Sequence, residues 1–215
     1  MSNASLASLL LTVIEIAATL AFALSGLLHG ARHRLDAVGV CIVTGLAAFG
    51  GGTLRDVLLD RRPFFWVSHS GWLWALLGLC VCAMAFLRAR HLQPTEKAIQ
   101  WPDALGLGLF SASGTQLALS HDMPSIVAVL MGVITATFGG ILRDIVCNEI
   151  PTALRDHRPY AICAFAGGWV VVIAEHLAVP EGIALLLAAG CATGLRAAAL
   201  VTGYTLPRWS AGDRH

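Results

Sequence analysis

The chain has 215 residues, of which 57% are hydrophobic and only 13% are Asp, Glu, Lys or Arg. A soluble protein carries about 25% charged residues, so this composition excludes a soluble globular domain and predicts an integral membrane protein. The formal net charge of +1 gives no support to nucleic-acid binding, which needs a strongly basic surface.

Seven apolar segments are long enough to cross the membrane, since about 20 helical residues span roughly 30 Å of hydrocarbon. In chain order they cover residues 6–29, 36–60, 71–88, 103–120, 125–149, 160–178 and 181–203. No basic stretch precedes the first segment, so we expect it to be retained rather than removed as a signal peptide. The expected fold class is an all-α membrane protein with seven transmembrane helices in a single domain, 1–215.

The first half of the chain is repeated in the second half, 88 residues later. Residues 22–69 align with 110–157 without a gap, and twelve of these 48 pairs are identical. Each copy holds three segments, and an odd number means that the two copies enter the membrane from opposite faces. We therefore predict an inverted repeat of three plus three helices, 6–92 and 93–178, followed by a seventh helix at 179–205.

A glycine motif lies in the second and fifth segments, at equivalent places of the two copies. The glycines that we expect to bend or unwind these helices along an ion pathway are Gly50, Gly51, Gly52, Gly139 and Gly140. Each glycine costs a helix about 1 kcal/mol relative to alanine, and an unwound turn frees carbonyls for a cation or water. Close packing of two helices is the alternative interpretation.

Each glycine motif runs into Leu-Arg-Asp, which places Arg55, Asp56, Arg143 and Asp144 inside apolar segments. A charge at the bilayer centre costs roughly 2.5–3.5 kcal/mol, so these side chains are not expected to face lipid. We expect the arginines to brace the bent helices, either by donating to freed carbonyls or by pairing with an acid. Two roles stay open, a purely structural one and a place in the wall of a pore.

Two further pairs of polar residues lie at matched depths in the first and fourth segments. Glu15 and Asp103 are acids at membrane depth, where they attract cations or pair with arginine. Asp103 is alternatively the N-terminal cap of its helix. Ser25 and Ser113 either allow a close helix crossing or hydrate a lumen.

The basic residues of the connections predict the orientation in the membrane. Nine lie on one side, namely Arg32, Arg34, Arg88, Arg90, Lys97, Arg155, Arg158, Arg208 and Arg214. The opposite side has Arg61 and Arg62. Nine against two places the C-terminus in the cytoplasm and the N-terminus outside, across a bacterial inner membrane. The cytoplasmic arginines also suit anionic lipid headgroups.

Motifs of enzymes and cofactor sites are missing from the sequence. It contains no G-x-S-x-G, P-loop, H-E-x-x-H or dinucleotide fingerprint. The six cysteines lie in apolar stretches without C-x-x-C spacing, and we interpret the eight histidines as loop and helix-end residues. We therefore expect a protein that is not an enzyme and has neither a metal nor a cofactor.

The paired motifs resemble those of one membrane-protein family. Two Gly-Gly-x-Leu-Arg-Asp segments, with Phe-Ala-Leu-Ser-Gly in the first helix and Asp-Ala-Leu-Gly-Leu-Gly-Leu-Phe-Ser-Ala-Ser-Gly in the fourth, are similar to the prokaryotic trimeric intracellular cation (TRIC) channels. The resemblance covers about residues 8–205. It implies a homotrimer in which each protomer has its own pore, lined by helices bent at the glycine motifs, for potassium and sodium. Animal members carry a lysine-containing motif at the first bend and are linked to phosphoinositide binding, but this chain has Gly-Gly-Gly-Thr-Leu-Arg there.

Two other functions remain as alternatives. The same prokaryotic family bears an older name, the glycine-transporter domain, and an inverted repeat also suits alternating access. The first alternative is therefore a secondary transporter of a small solute such as glycine. The second is a scaffold that transports nothing and uses the charged pairs only for stability.

Overall fold

The computed structural model describes residues 3–68, 70–90, 94–155 and 157–207. These residues form α-helices and contain no β-strand, so the predicted all-α class is confirmed. The helices are α1 (Asn3–Arg32), α2 (Ala37–Leu58), α3 (Phe65–Ser68), α4 (Gly71–Arg90), α5 (Glu96–Leu119), α6 (Ser125–Val146), α7 (Thr152–Arg155), α8 (Ala161–His176) and α9 (Glu181–Thr202). Arg208 and Arg214 of the charge count lie outside the described residues.

Seven of these helices have 16 to 30 residues and overlap the seven apolar segments, whereas α3 and α7 have four each. Four of them, α1, α2, α6 and α9, are long and apolar enough to cross a membrane by length and composition. Helices α4 and α8 contain shorter apolar stretches, and α5 begins in polar sequence. A multi-pass membrane protein is thus established, and the crossing of all seven long helices stays a prediction.

Polar and apolar side chains are distributed in the opposite way to a soluble protein. Arg55, Asp56 and Asp144 are at most 1% exposed, whereas Ile42 and Leu186 are more than half exposed. Water would strongly favour the reverse distribution, since burying a charge is costly and burying leucine is favourable. The exterior of the helix bundle is therefore suited to hydrocarbon.

Four helices, α1, α2, α5 and α6, form the centre of the bundle. Helix α1 packs against α2 and α5, and α6 packs against α5 and α2, so the contacts follow the 88-residue repeat. Phe22 stacks on its repeat equivalent Phe110 with ring centroids 5.6 Å apart. Equivalent residues that touch each other lie beside the axis that relates the two copies. Helix α4 packs on α2, α8 packs on α5 and α6, and α9 covers α5 and α8.

The glycine motifs lie where α2 and α6 cross. A Cβ on Gly51 would collide with the backbone oxygen of Thr135, and a Cβ on Gly139 would collide with that of Ala47. Both helices continue through their glycines without interruption, so the expectation of an unwound turn with free carbonyls is wrong. The glycines instead allow two backbones to approach more closely than any Cβ permits. A bend at these positions stays a prediction.

Helix α5 begins earlier than its apolar segment. Its N-terminal cap is Thr95, whose hydroxyl oxygen accepts a hydrogen bond from the backbone N–H of Ala98 at 3.2 Å. Asp103 is therefore the eighth residue of an established helix, at the start of its third turn, and is not its cap, which removes that alternative. The sequence places residues 96–102 in a connection because they are less apolar than the segment that follows, whereas the Thr95 cap allows the helix to begin there.

Candidate functional site

Arg55 is the centre of the first buried ion-pair cluster, which we call the Arg55 cluster (Glu15, Arg55 and Asp56). Its Nη1 donates to Oε1 of Glu15 at 2.7 Å, across from α2 to α1. Its Nε and Nη2 both donate to Oδ1 of Asp56, at 3.0 and 2.8 Å. Because Arg55 is 1% exposed, this guanidinium is held by carboxylates rather than by water.

Arg143 is the centre of the second cluster, the Arg143 cluster (Asp103, Arg143 and Asp144). Its Nε donates to Oδ1 of Asp144 and its Nη1 donates to Oδ1 of Asp103, each at 2.8 Å. The Tyr160 hydroxyl donates to the other oxygen of Asp103 at 2.7 Å. Arg143 is 3% exposed. Asp103 is therefore fixed from both sides, by an arginine of α6 and by the residue that precedes α8.

The two clusters are built from equivalent residues of the two repeats. Glu15 corresponds to Asp103, and each arginine and its following aspartate correspond as well. Of the two partners that the sequence left open for the arginines, the acid is the one in contact. Because both helices are intact, no carbonyl beside the glycines is free to accept a hydrogen bond from the arginines.

The aspartate of each motif also holds the segment that follows its helix. Oδ2 of Asp56 accepts from the backbone N–H of Phe65, the first residue of α3, at 3.3 Å. Oδ2 of Asp144 accepts from the backbone N–H and the hydroxyl of Thr152, the first residue of α7, at 2.7 and 2.9 Å. A carboxylate at a helix N-terminus satisfies donors that have no partner within the helix. Each Arg-Asp pair thus joins a membrane helix to its loop.

The two predicted serines have different contacts although they are equivalent in sequence. The Ser25 hydroxyl donates to the backbone oxygen of Ile99 at 3.1 Å and accepts from Nη1 of Arg143 at 2.6 Å. Ser113 is fully buried, and its hydroxyl has no hydrogen-bond partner among the described residues. Ser25 therefore ties α1 to α5 and α6, and this contact bridges 118 positions of the chain.

The remaining glycines of the motifs face side chains, and Gly140 faces those of the Arg143 cluster. A Cβ on Gly140 would lie 3.3 Å from the Tyr160 hydroxyl and 3.5 Å from Oδ1 of Asp103. A Cβ on Gly52 would lie 2.8 Å from the ring of Phe65, and one on Gly50 would lie 2.8 Å from Leu142. Gly140 thus leaves the space that the Arg143 cluster occupies.

A cavity opens beside each cluster. The Asp103 cavity has a volume of about 70 Å³ and is lined by His29, Arg32, His33, Glu96, Ile99, Gln100, Asp103, Arg143, Glu149, Thr152, Arg155 and Arg196. The Glu15 cavity has a volume of about 310 Å³ and is lined by Thr12, Glu15, Ile16, Thr19, Arg61, Pro63, Phe65, Ser68 and Trp72. Three pairs of lining residues correspond by the repeat: Thr12 with Gln100, Glu15 with Asp103, and Arg61 with Glu149. The cavities are therefore related in the same way as the clusters.

Helix α1 connects the two cavities. Glu15 lines one of them and His29 lines the other, and 14 residues of helix correspond to roughly 20 Å along the axis. Phe22, which is 1% exposed and stacked on Phe110, lies halfway between them. The centre of this stretch is thus closely packed in the structure.

Three buried polar residues of this region were not identified from the sequence. Tyr160 holds Asp103, and Arg196 donates from Nη1 to the backbone oxygen of Pro159 at 2.9 Å while its guanidinium lies 4.9 Å from the Tyr160 ring centroid. His29 is 6% exposed and lies at the end of α1. The signal for Arg196 was available, because it is a charge in the apolar interior of α9, whose other charged residue, Glu181, lies in the first turn. Tyr160 gave no such signal.

The chain is similar in sequence to known membrane proteins. A family model described as "Glycine transporter" matches the chain twice, over residues 12–89 and 100–176, and the two matches begin 88 residues apart. A UPF0126 membrane protein of Vibrio cholerae is 32% identical over 97% of this chain and 87% of its own length. The UPF0126 inner membrane protein YadS of Escherichia coli is 33% identical over 92% of this chain and 95% of its own length.

The fold is also that of a solved structure. The TRIC trimeric intracellular cation channel orthologue from Rhodobacter sphaeroides matches with a TM-score of 0.83 and 35% identity, over 90% of this chain and 98% of that one. Sequence similarity, the doubled family match and the fold agree with one another. The chain therefore belongs to the prokaryotic TRIC family, which includes the UPF0126 membrane proteins and carries the glycine-transporter family description.

Proposed function

We propose that the protein is a channel for monovalent cations, potassium and sodium, with a conduction path inside each protomer of a homotrimer. The observation that carries the proposal is the pair of repeat-related cavities, each of which ends on a buried arginine–carboxylate cluster. Inverted-repeat membrane proteins place their permeation sites between the two copies. The Rhodobacter sphaeroides structure with the same fold is a trimeric cation channel, which supports both the activity and the assembly.

The charge of the clusters favours cations over anions. Each cluster combines one buried guanidinium with two carboxylates, so its formal charge is −1. The wall of the Asp103 cavity, by contrast, contains both arginines and acidic residues, so its charges partly offset one another. In a low-dielectric interior one uncompensated charge acts more strongly than at a surface. We therefore assign cation preference to Glu15 and Asp103 and a bracing role to Arg55 and Arg143.

The bending or moving elements of this channel are α2 and α6, which cross at Gly51 and Gly139. Because backbones touch there without intervening side chains, a small relative displacement changes the space at the centre of the bundle. The packed Phe22–Phe110 pair lies between the cavities. We take the described conformation as a closed one, in which conduction requires these helices and rings to move apart.

The expected setting is the bacterial inner membrane, crossed seven times, with the N-terminus outside and the C-terminus in the cytoplasm. The E. coli relative is described as an inner membrane protein, which supports the location. Residues from all three connections that we assign to the cytoplasm, Arg32, Glu96 and Arg155, line the Asp103 cavity. That cavity is then the cytoplasmic one, and the Glu15 cavity opens outside.

A planar-bilayer recording tests this proposal. Purified protein, with its trimers verified by cross-linking, is placed under a potassium chloride gradient. We expect single-channel currents whose reversal potential lies near that of potassium. Intact trimers without current, or a reversal potential near that of chloride, would refute the cation channel.

A secondary glycine transporter is the second candidate, favoured by the family description and by the inverted repeat. Proteoliposomes loaded with buffer and given labelled glycine distinguish the two functions. Saturable uptake driven by an ion gradient would support the transporter, whereas potassium flux without glycine uptake would support the channel.

A scaffold without transport is the third candidate, in which the clusters only hold helices together. Arg55→Ala and Arg143→Ala separate this role from the others. Unchanged flux together with a lower melting temperature would favour the scaffold. Loss of flux in variants that still form trimers would argue against it.

A further inference from the structure

Four side chains meet at one end of the bundle, beside the Asp103 cavity, and form what we call the His29 cluster (His29, His33, Cys147 and Glu149). His29 lies in the last turn of α1, and His33 follows directly after the helix, where its backbone N–H donates to the backbone oxygen of His29 at 3.1 Å. The helical turn thus continues to His33, and the two side chains, four residues apart, project from the same face. Cys147 is the first residue after α6, and Glu149 follows two residues later. The ligand atoms of the two histidines and Cys147 all lie within 4.8 Å of one another. Two helix ends thus bring two imidazoles and a thiol close together.

Glu149 completes the group with its two carboxylate oxygens. Its Oε1 lies 3.2 Å from Nε2 of His33, and its Oε2 lies 3.9 Å from Nε2 of His29. The two imidazole rings are 4.7 Å apart between centroids. The carboxylate therefore faces both histidines from the side of the cavity.

The ring nitrogen Nε2 of His29 is buried and makes no hydrogen bond within the described residues. His29 is 6% exposed, and the closest acidic oxygens, on Asp144 and Glu149, are each 3.9 Å from this nitrogen. A buried polar atom without a partner is costly, and native proteins rarely keep one. A metal ion among these four side chains would use the lone pair of this nitrogen.

The ligand types select the class of metal. Two imidazoles, a thiolate and a carboxylate suit zinc and related divalent transition metals, whereas calcium and magnesium prefer oxygen ligands. Ligand atoms of a tetrahedral zinc site lie about 3.4 Å apart, so metal binding would draw these atoms closer than the 4.8 Å limit of their present spacing. The thiolate and the carboxylate together neutralise a divalent cation. Arg143, the nearest buried cation, is already paired with Asp103 and Asp144.

We propose that His29, His33 and Cys147, with Glu149 as the fourth ligand, bind one divalent transition-metal ion of the zinc class per chain. The spacing of the two histidines is the sequence signal for this site, and the expectation of no metal overlooks it. Metal binding requires neither a channel nor a transporter, so the proposal does not depend on the proposed function.

The other repeat shows that the site belongs to one end of the bundle alone. The residues equivalent to His29, His33, Cys147 and Glu149 are Leu117, His121, Leu59 and Arg61. Only one of these is a metal ligand by type. Nδ1 of His121 instead lies 2.8 Å from the backbone oxygen of Leu117. His121 is therefore a matched control for His33, in the same repeat position but without the other ligands.

Cobalt(II) titration of the purified full-length protein, kept reduced, tests the site directly, since cobalt replaces zinc and reports its ligands by absorption. We expect saturation at one ion per chain, with a thiolate-to-cobalt charge-transfer band and the visible bands of tetrahedral coordination. Zinc should displace the cobalt and abolish both. Absence of saturable binding, or binding without the charge-transfer band, would overturn the proposal.

Variants assign the ligands. Cys147→Ser should remove the charge-transfer band, and His33→Ala should weaken cobalt binding at least ~10-fold, the loss expected even for an outer-shell partner. Cys82→Ser, an exposed cysteine on α4, and His121→Ala should leave the titration unchanged. Circular dichroism verifies that each variant is folded. Equal affinity in Cys147→Ser and Cys82→Ser would contradict the assignment.

Discussion

Arg55 and Arg143 are the residues around which the structure is organised. Each is buried, each binds the aspartate that follows it, and each reaches an acid on another helix. The surroundings differ, because the side chain of Glu15 is 20% exposed whereas that of Asp103 is 7% exposed. Removing one partner of a buried pair leaves an uncompensated charge, which costs more than the pair itself contributes.

The difference in exposure predicts an order of stability among arginine variants. Arg143→Ala should lower the free energy of unfolding by about 3–5 kcal/mol, because it leaves two buried carboxylates without a cation. Arg55→Ala should cost less, since water can reach Glu15. Thermal unfolding in detergent measures both. Arg61→Ala is the control, because this 40% exposed side chain lies 3.8 Å from Asp56 and should contribute less than about 1 kcal/mol. Equal melting temperatures for Arg143→Ala and Arg61→Ala would contradict this account.

At the residue scale, the buried charged residues of the two motifs are predictable from the sequence, but not all their partners are. The repeat brought out Glu15, Asp103 and the two Arg-Asp pairs, because equivalent positions keep the same chemistry. It did not predict that Ser25 accepts from Arg143, since that contact joins distant segments and has no counterpart at Ser113. A contact that is present in only one repeat gives no signal in the repeat pattern and becomes visible only in the packed structure.

Helices α2 and α6 cross through their glycines, and this crossing is the element on which the central packing depends. The glycine positions follow from the sequence, which left two interpretations open: a bent or unwound turn, and close packing of two helices. The intact helices contradict the unwound turn, and the close backbone contacts agree with packing. The low helix propensity of glycine applies to an isolated helix. Here the apolar residues around each glycine remain helical, and the absence of a Cβ lets the backbone of the other helix come close.

The crossing predicts opposite effects of alanine at neighbouring glycines. Gly51→Ala and Gly139→Ala each place a Cβ against a backbone oxygen that cannot rotate away, and each should destabilise the protein by about 1–3 kcal/mol. Gly45→Ala, on the same helix but with nothing within 4 Å of the added atom, should be neutral or stabilising by up to about 1 kcal/mol. Melting temperatures in detergent measure all three. A Gly51→Ala variant as stable as Gly45→Ala would show that the helices do not approach as described.

At the scale of the whole molecule, the two repeats give matched clusters and cavities but different ends. The Glu15 cavity carries one arginine and one acid, whereas the Asp103 cavity carries several of each together with His29 and His33. The repeat pattern predicted the matched core. The differences arise from residues at helix ends and in loops, such as His29, Glu96 and Glu149, and from α9, which packs on α5 and α8 and has no repeat equivalent.

This asymmetry predicts a metal effect from one side of the membrane. In oriented bilayers, zinc added on the side of the Asp103 cavity should reduce potassium current, because the His29 cluster lies in the cavity wall. Zinc on the opposite side should have no effect, and Cys147→Ser should abolish the block. Equal block from both sides would contradict the one-sided site. This prediction rests on the channel function, whereas the cobalt titration does not.

The most direct test of the central claim, that cations pass the arginine–carboxylate clusters, is the single-channel potassium conductance of Glu15→Gln. The amide keeps the size of the side chain but leaves Arg55 with one carboxylate, so the cluster loses its net negative charge beside the Glu15 cavity. We predict a several-fold lower conductance and weaker selectivity against chloride. Glu175→Gln, an exposed acid near the end of α8, should conduct like the wild type. Equal conductance in the two variants, with trimers intact, would contradict a path through the clusters.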